Sequence, residues 1–237
     1  MSLVEQGKLN LDDPVEQYLT RWHIPPSKFD RDQVTVRRLL SHTAGLSLRA
    51  YPGFDPGQQL PTLEESLSGA GNGQGSVRLL NTPGQKYQYS GGGYSILQLL
   101  IEEITGLQFP VYMEKNILTP LGMKNSAYEW KPEFQSKTAT PYDFFGRELP
   151  IYRFTEKAAA GLYTTATDLA GFVAVNIQIN RFKTVPAGLL NPETLSLMYT
   201  PLKKDYGLGY LAKELPNHTR FIYHSGNNRG WRAQFVI

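Results

Sequence analysis

No cysteine occurs among the 237 residues, which excludes disulfides and thiolate metal sites while leaving the cellular compartment open. Histidine is scarce. His23, His42, His218 and His224 show neither i, i+4 spacing nor accompanying carboxylates in a ligand pattern, so no metal and no other cofactor is expected. Lysine and arginine form no runs, and a net charge of +3 spread along the chain gives no footprint for nucleic acid or an anionic membrane surface. No apolar stretch reaches the ~20 residues that span a bilayer, and nothing has the form of a signal peptide. Repeats and low-complexity linkers are absent. So are any serine followed three residues later by lysine and any Gly-x-Ser-x-Gly elbow; the one threonine match, Thr200-Pro201-Leu202-Lys203, carries a proline inside it. Asp12 with Asp13, and Glu102 with Glu103, point in different directions on a helix, and are read as cap or solvated-face residues, not a glycosidase pair.

What is present suffices for one large domain, since 41% hydrophobic and 12% aromatic residues supply a sizeable core. Leu3 to Leu9 reads as the last turn of a helix closed by Gly7. Asp12-Asp13-Pro14 starts a short helix toward Leu19, and Thr35 caps another whose Val36, Leu39 and Leu40 share a face before Gly45 ends it. Thr62-Leu63-Glu64-Glu65 fits a capping box, and Gly69 to Gly75 and Asn81 to Gly84 read as loop and turn. From Tyr94, residues Leu97, Leu100, Ile101 and Ile104 keep helical spacing until Gly106. Pro110 opens a helix ending near Leu118, and Thr165 to Asp168 begins one running through Phe172 toward Ile179. The part from about 8 to 200 is therefore expected to be mainly helical.

Beyond it, Tyr206 to Leu211, Arg220 to His224 and Trp231 to Ile237 are short aromatic or β-branched runs between turn signals, the pattern of consecutive antiparallel strands. The fold class expected is α+β. A three-stranded sheet needs an apolar cover, and no helix follows Ile237 in the sequence. The chain is accordingly expected to be an internal piece of one domain spanning 1–237, truncated at both ends, with a core able to self-associate.

Two motifs carry chemistry. Lys86-Tyr87-Gln88-Tyr89-Ser90-Gly91-Gly92-Gly93-Tyr94 sets a tyrosine at a glycine-loosened helix entrance, and His224-Ser225-Gly226-Asn227 lies near the end of the chain. With Gly7 to Pro14, Leu39 to Leu46, Pro120-Leu121-Gly122-Met123 and Ala160 to Leu169 in the same order, the sequence resembles the β-lactamase-related serine hydrolases. That group includes class C β-lactamases, D-alanyl-D-alanine carboxypeptidases, penicillin-binding proteins and related esterases. The resemblance implies a helical subdomain meeting an antiparallel sheet with flanking helices, a small-molecule or peptide substrate with an acyl group, and an exported bacterial location.

By position in that family Tyr89 shares proton transfer with the lysine of a Ser-x-x-Lys nucleophile helix. The other reading of Tyr89 is an aromatic packed at a helix start, its hydroxyl merely satisfied. Ser90 is read as the helix N-cap. Gly91 stands where many relatives carry an asparagine that bonds the acyl-side amide, and His224-Ser225-Gly226 stands where β-lactamases carry Lys-Thr-Gly. By the same match the Asn227 N–H is the strand's oxyanion donor. Histidine is fully charged only below roughly pH 6.5, so the pocket is less cationic than a lysine would make it. These departures point away from a dedicated β-lactamase and toward ester or D-amino-acid peptide hydrolysis. His42 is read as a helix-end residue satisfied by backbone, and His23 and His218 as surface.

Because Ser-x-x-Lys is missing, two functions from different classes are open. One is most of a serine hydrolase that is inactive in this form, its nucleophile helix lying upstream; the other is a ligand-binding or partner-binding module that retains the pocket without the chemistry.

Overall fold

The computed structural model describes residues 1–177 and 189–237. Its architecture follows from one helix around which the rest is packed. The chain runs through α1 (Ser2–Glu5), α2 (Val36–Leu40), α3 (Leu63–Leu67), α4 (Gly91–Thr105), α5 (Phe109–Met113), α6 (Lys157–Ala160), α7 (Ala166–Ile177) and α8 (Pro192–Tyr199). An antiparallel sheet of β1 (Leu211–Glu214), β2 (Arg220–Asn228) and β3 (Trp231–Val236) follows, in the order β1-β2-β3.

The sequence of α4 explains both its ends. Ser90 is extended, and its hydroxyl accepts the Gly93 N–H at 3.0 Å while donating to the Ser47 carbonyl at 2.5 Å. Gly92 cannot carry a side chain here: a Cβ would sit 2.9 Å from Val77 and 3.1 Å from the Ser47 carbonyl. Gly106, at φ +67°, closes the helix in the left-handed conformation that costs glycine least. Between them Ile96, Leu99 and Leu100 are wholly buried against Val15, Ile24, Leu39, Leu46 and Leu67. Each such side chain contributes roughly 1.5–3 kcal/mol relative to exposure. Thr62 and Glu65 exchange the reciprocal bonds of the expected capping box at α3.

Several expectations need correction. The predicted helix from Asp12 toward Leu19 is only a 3-10 turn at Val15–Gln17, because Leu11 and Val15 are drawn separately into the core. The helix capped by Thr35 stops at Leu40, not at Gly45; His42, at φ +54°, takes the left-handed position. Tyr206 to Leu211 is not a strand. Tyr206 and Leu208 are buried, a Cβ on Gly207 would lie 2.2 Å from the Met198 carbonyl, and Gly209 has φ +89°, so this stretch is a buried connection in which Tyr206 makes isolated bridges to Lys203 and Leu211, and pairing with β2 begins at Leu211. Glu102 and Glu103 are not solvated-face residues: Glu103 accepts from the Thr20 hydroxyl at 2.6 Å and the Arg21 amide at 2.8 Å, and Glu102 pairs with the Arg21 guanidinium at 2.5 Å. They tether residues 20–21 to α4. Asp12 likewise pairs with Arg37 at 2.7 Å. Helix α8 had no cap signal beyond Pro192 and escaped the sequence reading; the predicted end of α7 at Ile179 lies outside the described residues. Among the described residues no helix is long and apolar enough to cross a membrane.

A buried polar knot joins α3, α4 and α6. Gln98 of α4 donates to the Thr155 carbonyl at 3.1 Å and accepts the Ala158 N–H at 3.0 Å. Beside it the Glu156 carboxyl accepts from the Ser66 hydroxyl with one oxygen, and the other has no partner. Burial raises the Glu156 carboxyl above its ordinary range, against the opposing bond from Ser66. A carboxyl raised in the folded state stabilises fully below its unfolded value of 4.5 and loses that contribution as pH rises through the folded value. Urea denaturation from about pH 4 to about pH 8 should therefore show a decline in stability that Glu156→Gln, which cannot ionise, flattens. Parallel curves for the two proteins would mean that Glu156 ionises without cost.

Candidate active site

The site is a corner where an extended segment turns into α4, and His42 is its template. The Gln88 N–H donates to the His42 carbonyl at 2.7 Å, and the Ser90 N–H donates to His42 Nδ1 at 3.1 Å. Between these two ties the Tyr89 ring lies over the imidazole, centroids 4.0 Å apart and planes 31° apart. Tyr94 packs at 5.1 Å and Tyr206 edge-on at 4.8 Å. Since Nδ1 accepts, the neutral ring carries its proton on Nε2, which is buried without a partner. The expectation that His42 is satisfied by backbone thus holds for one nitrogen only.

Burial dominates the electrostatics of this cluster, with His42 and Tyr206 buried and Tyr89 and His224 half-buried. Burial, helped by His224, holds His42 down to about 3. Burial raises the Tyr89 phenol, with the Arg49 guanidinium opposing. The Tyr89 hydroxyl has no hydrogen-bond partner among the described residues. Tyr206 links the two motifs, its hydroxyl 3.2 Å from His224 Nε2. His224 is also held below its ordinary value by burial, against an opposing bond to the Ser225 backbone. The four residues Tyr89, His42, Tyr206 and His224 therefore form one contact chain between segments 135 residues apart (224 − 89).

β2 presents an open edge there. β1 pairs only with Arg220 to Tyr223, so His224 to Asn228 are paired on the β3 side alone. Ile222 and Ile237 exchange both backbone bonds, at 2.9 and 2.7 Å. In an antiparallel ladder the direction of backbone groups alternates, so residues 224, 226 and 228 face β3 while the N–H groups of Ser225 and Asn227 face the open edge. The Asn227 side chain accepts from Arg232. Gly226 has no close neighbour around its Cβ position, and Asn228 donates to the Ala160 carbonyl at 3.0 Å, tying the strand to α6.

Gly91 is explained by packing. Its N–H donates to the Arg49 carbonyl at 3.2 Å, and a Cβ would meet that oxygen at 3.1 Å and Tyr51 at 3.5 Å. His23 and His218 are exposed and pair with Glu16 and Glu214. Among the described residues no group of three or more His, Cys, Asp or Glu is arranged to hold a metal. Sequence reasoning missed Arg49, whose guanidinium lies 5.8 Å from the Tyr89 centroid, and Tyr206. Neither has a local signal, because both reach the site through tertiary contacts; only Gly207 and Gly209 around Tyr206 hinted at a close approach of backbone.

A histidine with a lowered value stabilises above its unfolded value near 6.5, and that contribution fades as pH falls toward the folded one. Proton NMR should accordingly find the His42 ring unprotonated at pH 5, titrating near 3 or lost to acid unfolding first. His42→Phe, which leaves the Ser90 N–H unpaired, should cost about 1–3 kcal/mol in urea denaturation. A His42 resonance titrating near 6.5 would overturn the arrangement.

The comparisons with known proteins bear on the family and the fold. The "Beta-lactamase" family model matches residues 1–237. Protein flp of Staphylococcus aureus (strain MW2) is 22% identical over 249 residues, covering 95% of this chain and 45% of its own. The chain thus spans about half the length of the curated relatives it matches. Among solved structures, the octameric penicillin-binding protein homologue from Pyrococcus abyssi superposes with a TM-score of 0.74 at 27% identity, covering all of this chain and 55% of that one. The D-stereospecific amidohydrolase from Streptomyces sp. gives 0.75 at 21% identity, covering 99% and 73%. The α+β architecture, helices packed with an antiparallel sheet, is the β-lactamase/transpeptidase-like fold, and the chain belongs to the β-lactamase family.

Proposed function

We propose that this chain is the greater part of a single-domain serine hydrolase that cleaves esters, D-amino-acid peptides or β-lactams through an acyl-enzyme. The observation that carries the reading is the convergence of Tyr89 and His224 on His42 and Tyr206, which links a phenol with a free hydroxyl, through two intervening rings, to a strand with an open edge. In the proposed reaction Tyr89 relays the nucleophile's proton, and the Asn227 N–H receives the charge developing on the acyl oxygen. His224, Ser225 and Gly226 line the substrate beside it, and Gly91 sits at the helix entrance after Tyr89, its Cβ direction already filled by the Arg49 carbonyl and Tyr51. No residue of this chain can be the nucleophile by the family's pattern, since Ser-x-x-Lys does not occur in it. A phenol raised by burial is a weak base at neutral pH, so Tyr89 needs the lysine of that motif as a neighbouring cation. The chain by itself is therefore inactive. The departures at Gly91 and His224 favour ester or D-amino-acid peptide substrates over β-lactams.

The missing nucleophile also favours a second reading, a binding module that keeps the pocket and lacks the chemistry. Covalent labelling with a fluorescent penicillin and a fluorophosphonate separates the two. On the hydrolase reading this chain takes no label, a form extended upstream to include a Ser-x-x-Lys helix does, and Ser→Ala in that motif abolishes it. If the folded extended form takes no label and hydrolyses no simple ester, the hydrolase reading is wrong.

A further inference from the structure

Phe144 is 97% exposed and Phe145 77%, whereas no other large apolar side chain among the described residues exceeds 53%. The two rings are neighbours, edge-to-face with centroids 5.6 Å apart. Single apolar residues scattered over a surface need no explanation, but an adjacent pair left this bare marks a contact.

The pair sits at the tip of a hairpin, residues 141–149, that its sequence makes stiff. Tyr142 and Glu148 bridge in antiparallel register, the Asp143 N–H donates to the Arg147 carbonyl at 2.9 Å, and the Leu149 N–H donates to the Pro141 carbonyl at 2.9 Å. Asp143 fills the turn between them. One of its carboxylate oxygens accepts the Phe145 N–H at 2.8 Å and the Arg147 N–H at 2.9 Å, and the other accepts from the Arg147 guanidinium at 2.7 Å. The Gly146 N–H donates to the Asp143 carbonyl at 3.1 Å. At the base, Gly230 of the β2–β3 turn comes so close that a Cβ there would stand 2.6 Å from Pro141. Folding has already ordered this backbone, so a partner that receives the rings bears little further ordering cost.

Size and chemistry decide what that partner is. Two phenylalanines offer roughly 300–500 Å², short of the ~800 Å² that each side of a stable protein interface buries. Their neighbours Asp143, Gly146 and Arg147 carry no apolar side chain, so nothing around the tip extends the contact toward that size. A bilayer requires no matching surface. What it penalises is an unpaired backbone donor, and the N–H groups of Asp143, Phe145, Gly146 and Arg147 are all satisfied inside the turn. Tyr142, 50% exposed with its hydroxyl 3.5 Å from Glu148, stands one step behind the tip with the apolar ring and polar end that suit the headgroup level. Asp143 and Arg147 neutralise each other, so the tip holds no net cation for anionic lipid.

We propose that the 141–149 hairpin is a membrane-interface anchor, which inserts Phe144 and Phe145 into the outer acyl region of a lipid bilayer and leaves Tyr142 among the headgroups. The anchor uses neither Tyr89 nor His224, and it is independent of the hydrolase reading.

Flotation of the folded chain with phosphatidylcholine vesicles tests this. Lipid is used at about millimolar concentration, since two rings bury less apolar surface than one myristoyl chain, whose binding is itself marginal. Wild-type protein should float with the vesicles, Phe144→Ala and Phe145→Ala should each weaken the partition about tenfold, and the double variant should stay behind. Both rings are exposed, so the variants should keep the wild-type urea midpoint. Adding phosphatidylglycerol to the vesicles, or sodium chloride to the buffer, should change little. In Phe144→Trp the added indole emission, read as the difference from wild type, should be quenched by brominated phosphatidylcholine. A wild-type chain that does not float, flotation that survives in the double variant, or an indole left unquenched would each overturn the anchor. So would concentration-dependent association without lipid that the double variant loses, which would assign the tip to a second copy of this chain.

Discussion

The hydrogen bond from the Ser90 N–H to His42 Nδ1 is the constraint on which the site depends. It accepts only one protonation state, since a charged imidazole would turn its own donor toward the amide. Burial enforces that state by disfavouring the cation. The bond also fixes where the extended segment ends and α4 begins, with Ser90, the residue after Tyr89, as the N-cap. With the Gln88 tie on the other side, it leaves Tyr89 little choice except to lie on the imidazole face. His42 accepts a left-handed backbone to make this possible, a strain of order 1 kcal/mol in a non-glycine residue. The glycines after Ser90 perform the complementary service, letting segment 47–49 close over the helix entrance.

Much of this was legible in the sequence, and the parts that were not share a physical reason. The Ser90 cap, the α4 register from Leu97 to Ile104, its stop at Gly106 and the capping box at Thr62 are written in residues within one helical turn of the feature they set. Local chemistry decides them. The family order likewise placed Tyr89 and His224 in one site, and both lie on one contact chain. What misled was composition without periodicity. Tyr206 to Leu211 is aromatic enough for a strand, yet Tyr206 is pulled under His42 and Gly207 against α8, so burial and not pairing sets its path. Glu102 and Glu103 look like a solvated face until Thr20 and Arg21 arrive from eighty residues away.

His42 shows the limit most clearly. Its place after α2 was readable, and its role was not, because that role consists of one bond to residue 90 and four aromatic neighbours. Arg49 is the same case on the solvent side. Nothing in Leu46-Ser47-Leu48-Arg49 distinguishes it from an ordinary surface arginine, and only the backbone ties to Ser90, Gly91 and Gly92 bring it to the tyrosines.

The electrostatics of the corner bear on the proton-relay role proposed for Tyr89. An unperturbed phenol has a pKa of ~10, so at neutral pH about three units, or ~4 kcal/mol, already separate it from its anion. Burial widens that gap, and Arg49 narrows it across 5.8 Å of largely solvated space where a charge counts for little. Neither His42 nor His224 can help while neutral. A relay through Tyr89 therefore requires a further cation within hydrogen-bond reach of its free hydroxyl, on the side away from His42. The sequence pattern of the family supplies one such group, the lysine of Ser-x-x-Lys, and this chain contains none. The aromatic stack thus positions the phenol, and on the proposed reading the charge that would activate it comes from the lysine of a Ser-x-x-Lys motif, which does not occur in this sequence.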